Sequence, residues 1–435
     1  MAATVDVRDC GAKGDGRTFD TAAIQSAIDA CAARGGGTVL LPAGKYLSGT
    51  LHLASNLRFE LTRNAVLLGS TNLDDYTEAR LPDGKPAADC SRWRHALLSA
   101  EGITNLTICG PGVIDGRKPY DPQGEEKTRG PHGFLFHNCR NVVVTNVTFL
   151  DAGNYSIFFT ESDDVTVRDA NFLGGYDGVH FRGRPGSPCR NVAITGCRFE
   201  TGDDSIAGAY WSGIIVSNCQ INSSCNGIRL IGPATGFDIS HSDFFGPGHF
   251  EHRTSHRTNM LAAFCLQPGA WMSTTGTLDR VRMSDCTVSN VTTPFHFVLK
   301  PGNESGEIVA ERIRVVDAYM TACSVESWSE RPFANVTFRD VSVTFAGGAT
   351  NRPLLDMIKP PGVDARPLPV WGFYARNVTS LTLENVSLKT ASPDTRPAMF
   401  FDDLKALTLD HVDYSDADRS EKAVIFKQVG HVNRR

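Results

Sequence analysis

Three aspartates in two short motifs have the residue types and the spacing for acid–base chemistry. Asp177 lies in Tyr176-Asp-Gly-Val-His180, and Asp203 and Asp204 lie in Gly202-Asp-Asp-Ser205. Three carboxyl groups held close together cannot all ionise easily, so at least one pKa is expected to rise. A protonated carboxyl group beside ionised ones suits a general acid that works opposite a carboxylate that activates water.

An internal repeat predicts that these aspartates meet. The segment Asn141-Val-Val-Val-Thr-Asn-Val-Thr-Phe149 returns in similar form from Asp164 and from Asn191. Further copies start at Gly213, Gly236, Arg280, Arg312, Asn335, Ser380 and Ala406. A period of about 23 residues with short β-branched strands predicts an all-β, single-stranded parallel β-helix, or solenoid, with coils stacked about 4.8 Å apart. Asp177 and Asp203, 26 residues apart, would then lie on neighbouring coils. A β-sandwich is the alternative fold.

The domain organisation predicted from this repeat is a single β-helix over residues 1–435. One helix is expected over residues 20–34, covering the N-terminal end of the solenoid core. Asp20 and Thr21 can cap it, Ile24, Ala27, Ile28 and Cys31 share one face, and Gly35-Gly-Gly37 ends it. Residues 246–262 interrupt the repeat and are predicted to form an inserted loop near the binding face, where solenoid insertions usually lie.

Composition excludes several functional classes. The chain has 435 residues, 41% of them hydrophobic, and a net charge of −5. No stretch of 18 apolar residues occurs, and no block of Lys and Arg, so we expect neither a membrane span nor a nucleic-acid partner. The N-terminus lacks a signal-peptide pattern. The protein is therefore expected to be cytoplasmic, or secreted or periplasmic if a leader was trimmed.

The twelve cysteines do not form a Cys-x-x-Cys pair, which argues against a zinc ribbon or a thioredoxin-like site. Cys197, Cys219 and Cys286 share one repeat position, so stacked buried thiols are expected. A disulfide between Cys189 and Cys197 is the alternative. No metal and no cofactor are expected.

The opening of the chain resembles the pectin-lyase-like right-handed β-helix superfamily. The resemblance lies in Gly11-Ala-Lys-Gly-Asp-Gly-Arg-Thr-Phe-Asp-Thr21 and in Gly35-Gly-Gly-Thr-Val-Leu-Leu-Pro-Ala-Gly-Lys-Tyr46. The two aspartate motifs are similar to segments of polygalacturonases, glycoside hydrolase family 28. This resemblance implies a right-handed β-helix, an inverting hydrolysis without a metal, Asp203 as general acid, and Asp177 and Asp204 as the groups that activate water. Inverting glycosidases hold acid and base about 6.5–9.5 Å apart.

The sequence departs from that family where the substrate would be held. The family's His-Gly is replaced by Asn226-Gly227, and its Arg-x-Lys is replaced by Phe264-Cys-Leu-Gln267. Two cations lie near the positions of the missing ones: Arg229 is one coil too early in the chain, and Lys300 is one coil too late. The residues predicted to bind substrate are His180, Arg182, Asn226, Arg229, His249, His252, Trp271 and Lys300.

Two features of the inserted loop and its surroundings have alternative interpretations. His249, Glu251, His252 and His256 offer metal ligands, but their spacing lacks a fixed helical face. A loop over the substrate, whose His and Arg residues replace the missing cations, is the better interpretation. Trp211 and Trp271 are candidates either for stacking on a sugar ring or for packing in the core.

The sequence therefore predicts a glycoside hydrolase that cleaves an α-glycosidic bond in a pectin-related or other polysaccharide or oligosaccharide. Plain polygalacturonate is expected to be a poor substrate. One alternative is a polysaccharide lyase or epimerase on the same fold, with a Ca²⁺ cluster at the aspartates and Arg182 or Arg229 as base. Another is a non-catalytic carbohydrate-binding solenoid.

Overall fold

The computed structural model describes residues 4–78, 94–350, 355, 358–415 and 423–435. The chain divides into two compact units. Unit 1 comprises residues 1–205 and the short segment Phe250–His256, and unit 2 comprises Ile206–His249 and Arg257–Arg435. The sequence prediction of one domain over residues 1–435 extends across the undescribed segments and stays a prediction.

Unit 1 contains the helix α1 (Thr21–Ala32), two 3-10 turns (Leu73–Asp75 and Glu125–Lys127) and short strands. The strands, β1 to β19 in chain order, are Thr4–Asp6, Asp15–Phe19, Gly37–Leu41, Gly44–Ser48, Leu51–His52, Leu57–Leu61, Ala65–Gly69, Ala96–Glu101, Thr104–Cys109, Val113–Asp115, His132–His137, Arg140–Thr145, Thr148–Leu150, Ile157–Thr160, Asp163–Arg168, Asn171–Gly174, Val179–Arg182, Cys189–Thr195 and Arg198–Thr201.

Unit 2 contains strands that become long towards the C-terminus. These strands, β20 to β35, are Ile206–Ala209, Trp211–Ser217, Gln220–Ser223, Asn226–Leu230, Ala234–Ser240, Asp243–Phe245, Ala262–Leu266, Gly276–Val291, Thr293–Leu299, Asn303–Ser305, Glu307–Ala318, Cys323–Ser327, Phe333–Gly347, Phe373–Ser392, Met399–Ser415 and Val424–Arg434.

The strands of unit 1 form three parallel ladders, each taking one strand from successive coils. One ladder runs β5, β8, β11, β14, β17, and a second runs from β3 through β6, β9, β12 and β15 to β18. The third runs from β2 through β4, β7, β10, β13 and β16 to β19. This is the arrangement of a parallel β-helix, so the predicted fold class is confirmed. The β-sandwich alternative is wrong, because these ladders are parallel and a sandwich pairs antiparallel strands.

Parallel stacking also occurs within unit 2. One ladder runs from β20 through β23, β26, β28 and β31 to β33. A second runs from β21 through β24, β27 and β30 to β32. The first of these ladders carries Arg229 on β23.

The repeat signature has two physical causes that unit 1 makes visible. The apolar positions point inward and stack in columns, as Phe149, Phe172 and Phe199 do with ring centroids 5.4 and 4.7 Å apart. The Asn and Asp positions occupy left-handed turns: Asn141 has a φ of 55°, a conformation that Asn tolerates. The Asn141 side chain donates to Asn105 Oδ1 of the preceding coil at 2.8 Å.

Helix α1 forms as predicted but is capped differently. Ile24, Ala27, Ile28 and Cys31 are buried, and the helix contacts β1, β3, β5 and β6. The expected capping by Asp20 is wrong, because its side chain makes no cap hydrogen bond. Its carboxylate accepts instead from the backbone N–H groups of Lys13 and Gly14, at 2.7 and 3.0 Å.

The eleven cysteines within the described residues are free thiols, and Cys90 lies outside those residues. Cys197, Cys219 and Cys286 are buried, and each Sγ lies 3.1–3.4 Å from the carbonyl oxygen two residues earlier. The prediction of buried thiols at one repeat position is confirmed. Among the described helices, none is long and apolar enough to cross a membrane.

Candidate active site

The three aspartates meet in unit 1, at a corner shared by successive coils. Asp177 lies between β16 and β17, and Asp203 and Asp204 follow β19. The Gly178 N–H donates to the carbonyl oxygen of Asp204 at 3.1 Å, which ties the two turns together. All three side chains are buried. The one-coil spacing read from the sequence therefore places these carboxyl groups on neighbouring coils.

Gly202 holds the second turn close to the first. A Cβ at this position would lie 2.4 Å from the carbonyl oxygen of Gly175, a distance that two non-bonded atoms cannot adopt. The Thr201 hydroxyl also donates to the carbonyl oxygen of Asp203 at 2.9 Å. The turn that carries Asp203 and Asp204 is thus fixed by its own backbone and by its neighbour.

The surroundings of Asp177 favour its uncharged form. Burial raises its pKa well above the usual range, and the charges of Asp203 and Asp204 raise it further. Arg129 acts in the opposite direction but does not outweigh them. The expected rise of one carboxyl pKa therefore occurs at Asp177.

His180 is the hydrogen-bond partner of Asp177. Its Nδ1 lies 2.7 Å from Asp177 Oδ2, and its ring stacks on Tyr155 with centroids 4.2 Å apart and planes 6° from parallel. Burial lowers the pKa of His180 well below its usual value, and Arg182 and Arg129 lower it further. The imidazole is therefore neutral beside Asp177.

Arg182 selects the tautomer of that imidazole. Its Nη2 lies 3.5 Å from His180 Nε2. A guanidinium group can only donate, so this contact favours the tautomer with the ring proton on Nδ1. In that tautomer His180 donates to Asp177 Oδ2.

Arg129 is a site residue that the sequence analysis missed. It lies between β10 and β11, and its Nη2 donates to Asp203 Oδ2 at 2.7 Å and to Glu126 Oε1 at 3.1 Å. Its guanidinium carbon lies 4.1 Å from the Tyr176 ring centroid. The segment around Arg129 has no repeat pattern. The only signal available was its position as an insertion between two copies of the repeat.

The inserted loop contributes His252 to the same site. His252 Nε2 lies 3.6 Å from Asp203 Oδ2, and its Nδ1 accepts from the Ser255 N–H at 3.1 Å. Arg253 Nη1 donates to the carbonyl oxygen of Pro119 at 3.3 Å, which joins this loop to the segment that carries Arg129. Residues 246–261 form no strand, as predicted for an insertion.

The proposed metal alternative within this loop does not match its geometry. His256 Nδ1 bonds Glu251 Oε1 at 2.8 Å, on the exposed surface. His252 instead faces Asp203, and His249 belongs to unit 2, where its backbone N–H donates to Asn222 Oδ1 at 2.7 Å. In unit 1, Glu251 and His256 thus pair with each other, whereas His252 approaches a different carboxylate. Oxygens of Asp203 and Asp204 lie within 4.8 Å of each other.

Unit 2 brings three of the predicted binding residues together. Arg229 Nη2 donates to the carbonyl oxygen of Val363 at 2.7 Å, and its guanidinium carbon lies 5.6 Å from the Trp271 ring centroid. Lys300 Nζ donates to the carbonyl oxygen of Pro361, two residues before Val363. Arg229, Trp271 and Lys300 therefore gather at the segment 361–363.

The remaining candidates have other surroundings in unit 2. Asn226 is buried, with its Nδ2 3.3 Å from Cys225 Sγ. Trp211 is 1% exposed and packs on Phe237, whereas Trp271 is 46% exposed. Packing is therefore the correct interpretation of Trp211, and Trp271 keeps a surface that can stack on a ring.

Sequence comparisons identify the family of this chain. The family model described as rhamnogalacturonase A/epimerase, pectate lyase-like matches residues 4–229. The chain belongs to this family. A second model, described as a right handed beta helix region, matches residues 132–344, which agrees with the right-handed fold implied by the family resemblance.

Relatives with known activities agree with this family. An exo-poly-alpha-D-galacturonosidase of Dickeya chrysanthemi is 28% identical over 254 residues, covering 46% of this chain and 41% of the relative. A probable polygalacturonase of Vitis vinifera is 27% identical over 209 residues, covering 46% of this chain and 43% of the relative. The chain thus spans about two fifths of the length of these curated relatives. The resemblance to polygalacturonases is confirmed.

A solved structure has the same fold. The family 28 exopolygalacturonase of Yersinia enterocolitica aligns with a TM-score of 0.57 and 18% identity, covering all of this chain and 78% of the other. At this identity the likeness concerns the fold only. Activity and substrate must be argued from the residues of the site.

Proposed function

We propose that this protein is an inverting glycoside hydrolase of the polygalacturonase type, cleaving an α-glycosidic bond in a pectin-related or other polysaccharide. The observation that carries the proposal is the buried carboxyl group of Asp177, its pKa raised by burial and by the neighbouring Asp203 and Asp204. Glycoside hydrolysis needs one carboxyl group that donates a proton and another that receives one. A set of carboxyl groups whose environments separate their protonation states supplies both.

The reaction requires no group beyond these side chains and water. A carboxyl proton moves to the glycosidic oxygen as its bond to the anomeric carbon breaks. A water oxygen forms the new bond to that carbon, and the water proton passes to an ionised carboxylate. Burial of the three aspartates strengthens these electrostatic interactions, because little solvent screens them. A polysaccharide substrate favours a location outside the cytoplasm.

The substrate we propose is a glycan other than plain polygalacturonate. The family's His-Gly and Arg-x-Lys are absent from their usual positions. Arg229, Trp271 and Lys300 offer two cations and an aromatic ring in unit 2, which suits an acidic sugar bound through different contacts.

The experiment is a reducing-end assay over polygalacturonate, rhamnogalacturonan and neutral α-linked glycans, with Asp177→Asn, Asp203→Asn and Asp204→Asn as test variants. Each substitution is expected to lower kcat by roughly 10²–10⁴-fold. Inversion is checked by NMR of the first anomer released. Wild-type protein inactive on every glycan, or variants with normal turnover, would contradict the proposal.

A lyase or epimerase is the second candidate, and the name of the matched family includes an epimerase. A Ca²⁺ ion takes 6–8 oxygen ligands, whereas Arg129 already neutralises Asp203 in this site. That contact favours hydrolysis. A lyase would form a product that absorbs in the ultraviolet and would lose activity in chelator.

A non-catalytic role has one relative in its favour. The plasmin and fibronectin-binding protein A of Streptococcus pneumoniae is 32% identical over 180 residues, covering 39% of this chain and 24% of the relative. Glycan binding measured by calorimetry, without turnover in the reducing-end assay, would support this function and exclude the hydrolase.

A further inference from the structure

A segment of unit 2 covers one face of the ladder that carries Arg229. The segment, residues 358–366, forms no strand. Arg229 and Lys300 donate to its backbone carbonyl oxygens. Its own Arg366 donates to Glu326 Oε1 and Oε2 at 2.9 and 2.7 Å. These contacts involve β23, the residue after β28, and β31, so the segment lies across several coils of the ladder.

Gln267 and His296 lie on the face that this segment covers. Phe295 stacks in the core on Phe264, with ring centroids 5.5 Å apart, so the next residue, His296, points to the opposite face. His296 is paired in register with Cys265, and Gln267 follows Cys265 by two residues and shares its face. Strands about 4.8 Å apart with a rise of about 3.3 Å per residue place Gln267 and His296 about 8 Å apart, within reach of one small group.

Gln267 offers a hydrogen-bond donor on this face. Its Oε1 accepts from Arg229 Nη2 at 3.3 Å. Because a guanidinium group can only donate, this contact identifies the amide oxygen, and the other end of the side chain is the NH₂ group. That Nε2 is buried and has no hydrogen-bond partner among the residues that the structure describes.

His296 offers a second donor. Burial lowers its pKa to about 4, so the imidazole is neutral near pH 7. Its Nδ1 lies 3.1 Å from the Ser324 hydroxyl oxygen, which makes this one side-chain hydrogen bond within the described part of the chain. A buried hydroxyl proton needs an acceptor, which favours donation to Nδ1 and a ring proton on Nε2. His296 Nε2 bonds none of the described residues.

The charged surroundings of these two donors favour an anion. Glu326 is 0% exposed, and both its oxygens are bonded to Arg366. The charges of Arg366, Arg229 and Lys300 all lower the pKa of His296, so these cations lie near the imidazole. Two neutral donors beside several cations are complementary to a group that only accepts and is negatively charged, as a carboxylate is.

From this arrangement we infer that the face beneath segment 358–366 binds the carboxylate of a uronic acid, and that Gln267 and His296 are specificity-determining donors. The inference rests on the proposed function and names its substrate class, an acidic sugar. The carboxylate takes the place of the segment's carbonyl oxygens at Arg229 and Lys300, and it accepts from Gln267 and His296 as well. A hydroxyl group would have to place its own proton, and the acceptors described above are already bonded.

The segment has to move when the ligand enters. Gln267 is 0% exposed and His296 is 2% exposed, so the ligand reaches them when segment 358–366 lifts. The segment is held at the two cations by neutral carbonyl oxygens, and its Asp364 approaches Arg229 only to 4.0 Å. Hydrogen bonds from a cation to a carboxylate are stronger than those to a neutral carbonyl oxygen, so a uronate can displace the segment.

The first test measures binding without turnover, by ligand-observed NMR titration. The probes are methyl α-D-galacturonoside and methyl α-D-glucuronoside, the methyl ester of each, and methyl α-D-galactoside. At least one uronide should bind, and its ester and the galactoside should bind at least tenfold more weakly, because they lack a free carboxylate. Esters that bind as tightly as the uronides, or no binding of either uronide, would overturn the inference.

Two variants and a matched control locate the site. Gln267→Glu keeps an acceptor for Arg229 but replaces the donor, and His296→Phe removes the ring nitrogens. Each should weaken uronide binding by roughly ten- to a hundredfold. Gln220→Glu changes an exposed glutamine of β22 and should bind like the wild-type protein. Unchanged uronide affinity in Gln267→Glu would overturn the inference, and this variant decides even if His296→Phe does not fold.

Hydrogen exchange tests the role of the segment. The backbone amides of residues 358–366 should exchange faster when the uronide is added and should not respond to the galactoside. Unchanged exchange with a uronide that binds would overturn the placement of the site beneath the segment. If the reducing-end assay detects no hydrolysis of any glycan, the proposed function fails, while the binding titrations still decide the inference.

Discussion

His180 Nδ1 lies 2.7 Å from Asp177 Oδ2, with Asp177 in the turn before β17 and His180 three positions later within that strand. Arg182, two residues further on, approaches the other ring nitrogen. Because successive side chains of a strand point to opposite faces, His180 and Arg182 share one face of β17, the face that adjoins Asp177. The turn before β17 thus carries Asp177, and the strand itself carries His180, which is bonded to it.

The first prediction concerns this hydrogen bond. His180→Phe keeps a ring against Tyr155 but removes the donor to Asp177. A hydrogen bond to a carboxylate favours its ionised form, so its loss should raise the pKa of Asp177 further. The titration midpoint of the Asp177 carboxyl carbon, measured by ¹³C NMR, should move to higher pH. An unmoved midpoint would show that His180 does not influence the ionisation of Asp177.

The second prediction concerns stability at the same residue. The raised pKa of Asp177 means that it contributes most to stability below its unfolded value, near 4, and that this contribution is lost as pH rises through the folded value. Asp177→Asn cannot ionise and keeps an oxygen for His180. The free energy of unfolding of Asp177→Asn minus that of wild type should therefore become more positive from pH 5 to pH 8. Urea denaturation at both pH values measures this, and a constant difference would contradict it.

The third prediction concerns His296 in unit 2. Burial lowers its pKa to about 4, against the opposing effect of Glu326. A histidine with a lowered pKa contributes fully above about 6.5, and its contribution is lost as pH falls towards 4. His296→Gln should therefore remove about 3 kcal/mol of the acid-induced loss of stability. Urea denaturation of both proteins from pH 7.5 to 4 measures this. If their free energies of unfolding fell in parallel, His296 would have no such effect.

The fourth prediction uses two glycines. Gly202→Ala places a Cβ 2.4 Å from the carbonyl oxygen of Gly175, whereas nothing lies within 4 Å of a Cβ at Gly362. Gly202→Ala should displace the Asp203 turn, lower stability by roughly 1–3 kcal/mol and reduce activity. Gly362→Ala is the matched control and should melt like wild type. Wild-type activity and melting temperature in Gly202→Ala would show that the turn tolerates the Cβ.

The fifth prediction concerns specificity. Arg229→Gln and Lys300→Gln remove the two cations near segment 361–363. Losing one charged hydrogen bond to a carboxylate typically costs about 1.5–3 kcal/mol. KM for an acidic glycan should rise roughly ten- to a hundredfold, with little change for a neutral glycan. Efficient turnover of plain polygalacturonate, about 10 s⁻¹ or more, would instead show that the altered cations suit the usual substrate.

Much of this fold could be predicted because each coil of a β-helix repeats the same pattern of strand and turn residues in the sequence. Each coil adds the same strands, so Phe149, Phe172 and Phe199 recur at one repeat position and stack. The same periodicity was sufficient to predict that Asp177 and Asp203 lie on neighbouring coils. Amphipathic spacing likewise located helix α1, although the Asp20 side chain bonds the backbone of residues 13 and 14 and does not cap the helix.

Only the tertiary structure decided how the aspartates are charged. Arg129 is 74 residues from Asp203 and lies in an insertion without periodicity, so no spacing rule connects the two. His252 approaches the same carboxylate from the inserted loop, which lies several strands after Asp203 in the chain. Protonation depends on burial and on charges within a few ångströms. The sequence alone therefore determined which carboxyl groups meet, and the tertiary structure decided how deeply they are buried and which charged groups of the insertions approach them.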